Sequence, residues 1–290
     1  MMANDTSPST PTTMDEAAAQ AAREKVRKVT VGVAVIGGLA ILSGIATDTS
    51  LRGVIEFFPG FARYLDRVLP DLAWATLGGD VAAWFSRLPL WLSLLVDTVA
   101  IAFLSSVLAI PFTLLLCFPA SFNLNRRYWL YFLCRRLLEF FRGVPELVYA
   151  LVFVYAFGLG PLAGIMAITI HTVGALGKLF SEVNENVDPA SLDGVEATGA
   201  GWWEVMRHGV IPQVLPNYLS YALLRFEINV RGAAIIGIVG AGGIGQELMG
   251  AVRMFAMTEI SAIVILIMIL VAIIDMSCEK TRLRIVGMRG

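Results

Sequence analysis

DGVEATGAGWWEVMRHGVIP, residues 193–212, is a polar, glycine-punctuated segment of helical character between two long apolar runs. Pro212 and Pro216 form a Pro-x-x-x-Pro step, after which the chain re-enters hydrophobic sequence. Apolar helices need no such insert merely to turn around, and a connection of this length points to function. It reads as a short helix ending near Gly199, a turn, and a second helix presenting Trp202, Trp203 and Val205. Apolar knobs on a polar connection either fill a groove on a partner or anchor at lipid headgroups. The residues of the segment leave both readings open.

Composition sets the class around this segment. Of 290 residues, 57% are hydrophobic and 16% charged, and the mean hydropathy is +0.73. A soluble chain would carry about 25% charged residues. Several runs approach the roughly 20 apolar residues that cross a bilayer. The expected fold class is therefore all-α, a polytopic membrane protein. A net charge of -1 gives no basic surface for nucleic acid. Cys117, Cys134 and Cys278 are scattered, and His171 and His208 lie far apart, so neither a disulfide framework nor a metal motif is formed.

Residues 1–28 are rich in Ser, Thr, Pro and Ala and read as a disordered tail ending in Arg23, Lys25, Arg27 and Lys28. The apolar run that follows is longer than the core of a cleaved signal peptide, which is about 7–15 residues, so an uncleaved first span is expected. Six spans follow from the hydropathy, at about 29–47, 89–118, 144–159, 161–178, 215–239 and 258–276. With both termini inside, 15 of the 22 Lys and Arg fall in cytoplasmic segments and five outside. The remaining two, Arg225 and Arg231, lie within the fifth span. This bias agrees with the positive-inside rule and would be reversed by the opposite orientation. The outer segment 48–88 carries Phe57, Phe58, Phe61 and Trp74 and reads as a surface-lying interfacial segment, with a partner contact as the alternative.

Charges inside apolar sequence are costly and often functional. Arg126, Arg127, Arg135, Arg136, Glu139 and Arg142 interrupt one apolar stretch, with Arg135, Glu139 and Arg142 on one helical face. They read as a positive-inside anchor with an internal ion pair, or as a substrate contact. In the fifth span Glu227 and Arg231 form an i, i+4 pair, leaving Arg225 unmatched. A guanidinium suits an anion with several acceptor oxygens. Arg225, Glu227, Arg231 and His171 are therefore candidates for a translocation pathway, the structural alternative being pairing between helices or snorkelling.

The 193–212 segment bears comparison with a loop written Glu-Ala-Ala, three residues, Gly, nine residues, Ile, one residue, Leu-Pro. The register through Glu196-Ala197 fails, because Gly must follow Glu by six. Aligned on Gly199, the pattern begins at Asp193-Gly194-Val195 and ends at Gly209-Val210-Ile211-Pro212. Gly199 and Pro212 match, Asp193 stands for Glu and Ile211 for Leu; Gly194, Val195 and Gly209 depart. In order along the chain stand Arg142-Gly143-Val144-Pro145-Glu146, Gly158-Leu159-Gly160-Pro161, His171-Thr172-Val173-Gly174 and Gly177-Lys178-Leu179-Phe180. Then come Arg225-Phe226-Glu227-Ile228-Asn229-Val230-Arg231 and Val239-Gly240-Ala241-Gly242-Gly243-Ile244-Gly245.

From about residue 89 to the C-terminus this series resembles the permease subunit of phosphonate ABC importers, a family that also includes permeases for phosphite and related oxyanions. The resemblance implies a permease domain over 89–290 with an ATPase-docking loop at about 179–214, preceded by a first span and outer segment over 29–88. It implies assembly as a homodimer with two ATP-binding cassette ATPase subunits inside and a phosphonate-binding protein outside. ATP and Mg are then held by the ATPase, the chain itself holding no cofactor or metal and having no catalytic residues. The expected location is a bacterial inner membrane.

Gly240, Gly242 and Gly245 formally satisfy a dinucleotide fingerprint, but no strand precedes them. Gly242 and Gly243 fit a re-entrant turn or gate better. Gly177-Lys178 lacks the flanking residues of a phosphate-binding loop, with Thr172 and Leu179 in the required places. An ion-coupled secondary transporter would show internal repeats, and an intramembrane enzyme a nucleophile–base set. Neither is visible in the sequence.

Overall fold

The computed structural model describes residues 14–47, 51–70, 75–124 and 127–287. Residues 1–13 of the expected tail, Trp74 of the expected interfacial segment and Arg126 lie outside the described residues. The chain divides into a unit to Asp66 and a unit from Arg67.

The first unit holds α1 (Met14–Ala46) and most of α2 (Leu51–Val68). Residues 14–28, expected as disordered tail, are helical and continuous with the first span. Their Ala-rich sequence has high helix propensity, and Glu24 pairs with Lys28 at 2.8 Å, one turn apart. In α2, Phe57, Phe58, Phe61 and Leu65 recur at helical spacing, and the Phe57 and Phe61 rings stack at 6.2 Å. Arg63, Asp66 and Arg67 fall by the same spacing on the opposite face, which is the pattern of a helix lying along an interface.

The second unit is built on α3 (Leu77–Trp84), α4 (Leu88–Cys117), α5 (Tyr128–Gly143), α6 (Glu146–Phe157), α7 (Pro161–Glu185) and α8 (Pro189–Glu196). It continues with α9 (Trp202–Glu204), a π turn (Val205–Val210), α10 (Ile211–Ile236), α11 (Ile244–Arg253) and α12 (Met257–Gly287). The central helix is α7, which packs against α4, α5, α6 and α10. Its buried positions include Ala163, Gly164, Ala167, Gly174 and Gly177. Small residues let helices approach closely where lipid gives no hydrophobic drive to associate. For the same reason Val96, Phe103, Leu115, Tyr155 and Met268 stay on the outside.

Among the described residues four helices are long and apolar enough to cross a bilayer: α1 from Ala18, α4, α7 and α12 from Met257. A fifth is reached if Trp202–Val239 and Ile244–Arg253, bent by 41°, count as one. The expected six is not reached helix by helix, because the chain runs from Leu124 beside Trp202 to Gly160 beside Gly240 through two helices, α5 and α6, rather than one. The span expected at 144–159 is the 12-residue α6, about 18 Å long and too short to cross alone. Pro145 offers no N–H and drives Val144 to an extended conformation (ψ 125), so α5 stops at Gly143 and α6 starts afresh.

Candidate functional site

The segment 193–212 lies at the end of the second unit where α7 stops, called here the loop end. Asp188 caps α8, its Oδ1 accepting from Ala190 N at 3.1 Å, with Pro189 in the first turn. The chain leaves α8 through Gly199, at φ +82, a left-handed conformation that costs other residues dearly. Glu204 then accepts from Gly201 N at 2.6 Å, starting the next helix. That helix is no separate short element: it runs on through the π turn into α10. Pro212 cannot donate to the preceding turn, and the π register just before it accommodates the missing bond. The docking loop expected to about 214 therefore ends as a loop near Gly201, with Ile211 and Pro212 exposed on the long helix.

Asp193, Gly194 and Gly199 are exposed, and Val195 packs on the core beneath. The tryptophans divide their roles. Trp202 donates its indole N–H to the Leu124 carbonyl at 3.2 Å and sets its ring edge to Phe118. Trp203, 75% exposed, projects outward. Val205, expected to be presented with them, is buried. Around the pair lies an open groove of about 900 Å³, lined by Leu115, Phe118, Leu192, Gly199 and both tryptophans among others.

Beneath the groove a buried network ties α4, α7 and α10 together. Tyr218 donates to Asn184 Oδ1 at 2.5 Å, and Asn184 donates to Ser121 Oγ at 3.1 Å. Ser121 donates to the Cys117 carbonyl at 2.8 Å. The Tyr218 ring lies flat on Phe180 at 3.8 Å. Tyr218→Phe keeps the ring contact and strands the fully buried Asn184 oxygen. We expect it to destabilise the protein by about 1–3 kcal/mol, seen as a lower melting temperature in detergent.

A second polar cluster lies at mid-helix. Arg225 of α10 is 9% exposed. Its guanidinium contacts His171 Nδ1 of α7, and its Nε faces Thr172 Oγ1 at 3.5 Å. Thr172 donates to Asn229 Oδ1 at 3.2 Å, and Asn229 donates to Ser106 Oγ at 2.9 Å. Glu146, in the first turn of α6, brings its Oε2 to 3.7 Å from His171 Nδ1. His171 lies about 15 Å along α7 from Pro161, near the middle of a hydrocarbon core of about 30 Å. Arg225, unmatched in the sequence reading, is thus partnered. Asn229, one turn from Arg225 on the same face, was legible by spacing; Glu146 carried no signal beyond following Pro145.

The other expected pathway residues lie elsewhere. Arg231 pairs with Glu227 and reaches Asp275 of α12 at 3.0 Å, pinning α10 to α12. Gly242 and Gly243 sit in the turn between α10 and α11, at φ +89 and +73. There Ile244 N donates to Thr98 Oγ1 at 2.9 Å, and Gly160 N to the Gly240 carbonyl at 2.9 Å. This glycine turn lies at the opposite end from the groove. The basic stretch does not pair along the expected Arg135, Glu139 and Arg142 face: Glu139 meets Arg136 at i, i+3, while Arg135 reaches across to Glu185 at 2.8 Å.

Helices this apolar, joined through small residues and carrying ion pairs at mid-length, define a multi-pass membrane transport subunit. The chain belongs to the family of binding-protein-dependent transport system inner membrane components, whose pattern covers residues 116–277. It is 38% identical over 208 residues to the phosphite transport system permease protein PtxC of Stutzerimonas stutzeri, covering 71% of this chain and 75% of that one. It is 37% identical over 190 residues to the phosphate-import permease protein PhnE of Mycolicibacterium smegmatis, covering 66% and 36%. To the putative cryptic phosphonate transport system permease protein PhnE2 of Escherichia coli it is 44% identical over 117 residues, covering 40% and 96%. In fold it is similar to the MetNI methionine ABC transporter in its inward-facing form, at TM-score 0.58 and 22% identity over 69% of this chain and 98% of that one. An amino acid ABC transporter gives 0.59 at 18% identity over 70% and 97%. The all-α permease fold read from the sequence is the fold of these ABC importers.

Proposed function

We propose that this chain is the membrane-spanning subunit of an ATP-driven importer of a tetrahedral phosphorus oxyanion, a phosphonate or phosphite, delivered by a binding protein. The observation that carries the reading is the likeness over 208 residues to a phosphite permease. The loop around Trp202 and Trp203 supports it, since an exposed indole beside an open apolar groove suits a protein partner. That partner is an ATPase subunit holding ATP and Mg. The binding protein docks at the glycine-turn end, and a second copy of the chain completes the path. The Lys and Arg bias supports a cytoplasmic position for the loop and both termini.

In this mechanism closure of the ATPases displaces α8 and Trp203. The loop is continuous with α10 through the π turn, and the Tyr218–Asn184 bond ties α10 to the end of α7 from which the loop departs. Its motion is therefore carried along α10 to Arg225. Arg225, with His171, supplies the oxyanion contact at mid-membrane, and the glycine turn at Gly242 and Gly243 forms the outer gate.

Proteoliposomes holding the chain, its co-expressed ATPase and its binding protein test the reading with labelled methylphosphonate and phosphite. Uptake should require ATP and the binding protein, and the ratio of the two rates identifies the preferred oxyanion. Uptake by the chain alone on an ion gradient would replace this reading with a secondary transporter.

A further inference from the structure

Glu146 opens α6 at the Pro145 break and lays its carboxylate on the backbone of α10 at Gly232. A Cβ built at Gly232 would stand 2.5 Å from Glu146 Oε1 and 3.0 Å from its Cδ. The carboxylate occupies that place only because position 232 has no side chain. Its Oε2 is buried and has no hydrogen-bond partner among the described residues. That oxygen lies 3.7 Å from His171 Nδ1, the same atom that the Arg225 guanidinium contacts, so the two opposite charges meet across His171, and the guanidinium also bonds to Thr172. A settled interior ion pair is normally closed by direct, charge-assisted hydrogen bonds. Here the negative charge faces the cation across His171 without them, which leaves it exchangeable.

Charge balance says for what. An oxyanion entering beside Arg225 while Glu146 stayed would put two negative groups against one guanidinium in a low-dielectric interior. An oxyanion that, in its singly charged form, displaces the carboxylate keeps the site balanced and gains the fork of donors that the carboxylate does not use.

We propose that Glu146 is an internal surrogate anion, which neutralises Arg225 while the path is empty and must be displaced for a phosphorus oxyanion to bind. Glu146 thereby sets the affinity of the path and, by returning, drives release. This rests on Arg225 and His171 being the oxyanion contact, as proposed above.

The chain, assembled with its ATPase subunits in lipid nanodiscs, is titrated with methylphosphonate and with phosphite, and binding is read by phosphorus NMR line broadening, which detects millimolar affinities. Glu146→Gln should bind both anions on the order of tenfold more tightly than the parent. In the complete importer it should take them up more slowly, because release has lost its competitor. Gly232→Ala, which pushes the carboxylate away without removing it, should shift binding in the same direction and carries the test if Glu146→Gln fails to fold. A purely structural Glu146 would give weaker binding or none of this split. If Arg225→Gln weakens binding while Glu146→Gln and Gly232→Ala bind no more tightly than the parent, the surrogate-anion proposal alone is overturned. If Arg225→Gln changes neither binding nor uptake, the oxyanion contact itself falls, and the proposal with it.

Discussion

Gly199→Trp is expected to abolish ATP-driven uptake while leaving the protein inserted and folded. Gly199 stands at φ +82 and no atom lies within 4 Å of a Cβ built on it. The chain itself therefore has room for a side chain, and the penalty is conformational. A non-glycine residue forced into this region costs about 1–3 kcal/mol, enough to depopulate the docking conformation roughly 5–150-fold. The strain falls on an exposed turn, so the packed core beneath is spared. Bulk at this position meets only a partner seated on the groove. Gly199→Asn, which tolerates the left-handed region, should retain most uptake. Parent-level uptake by the Trp variant would remove the docking assignment.

Gly245→Ala should have the largest effect on folding. Its Cβ would stand 2.0 Å from the Ala234 carbonyl oxygen and 3.0 Å from the Gly237 Cα. Both are backbone atoms, so no side chain can swing aside, and α11 must separate from the end of α10. Overpacking a tight core costs about 1–3 kcal/mol when side chains can adjust; here the upper end or beyond is expected. Gly250, five residues on in the same helix, has open space around it, and Gly250→Ala should change stability by less than about 0.5 kcal/mol. Melting of the two purified variants in detergent compares them directly. Equal melting temperatures would show that α10 and α11 do not approach as closely as described.

The class of the protein was legible because hydropathy and charge act locally. Apolar runs, the Lys and Arg bias and the Pro and Gly punctuation each report on a few neighbouring residues. The glycine turn illustrates this: the cluster at 240–245 reads as a tight turn because few other residues adopt positive φ, and three of its glycines do. The span boundaries were less legible. Hydropathy does not register that Pro145 ends one helix and starts another, so 144–159 was read as one unbroken helix where α6 covers only 12 residues. The N-terminal helix was missed because low hydropathy and small polar residues resemble a tail, although Ala-rich sequence with a Glu24–Lys28 pair is good helix.

The sequence by itself determined an all-helical membrane permease, its kinship to oxyanion importers and the position of the two-tryptophan segment. Only the tertiary structure decided which ionisable groups meet. Arg225 is joined to His171, which also faces Glu146 from a third helix, while Arg231, paired with Glu227, turns away to Asp275. Spacing along a helix fixes the face a residue occupies, but not which helix covers that face. The covering helix is chosen by close contacts such as Glu146 on Gly232, residues far apart in the chain whose fit exists only once α6 and α10 are packed.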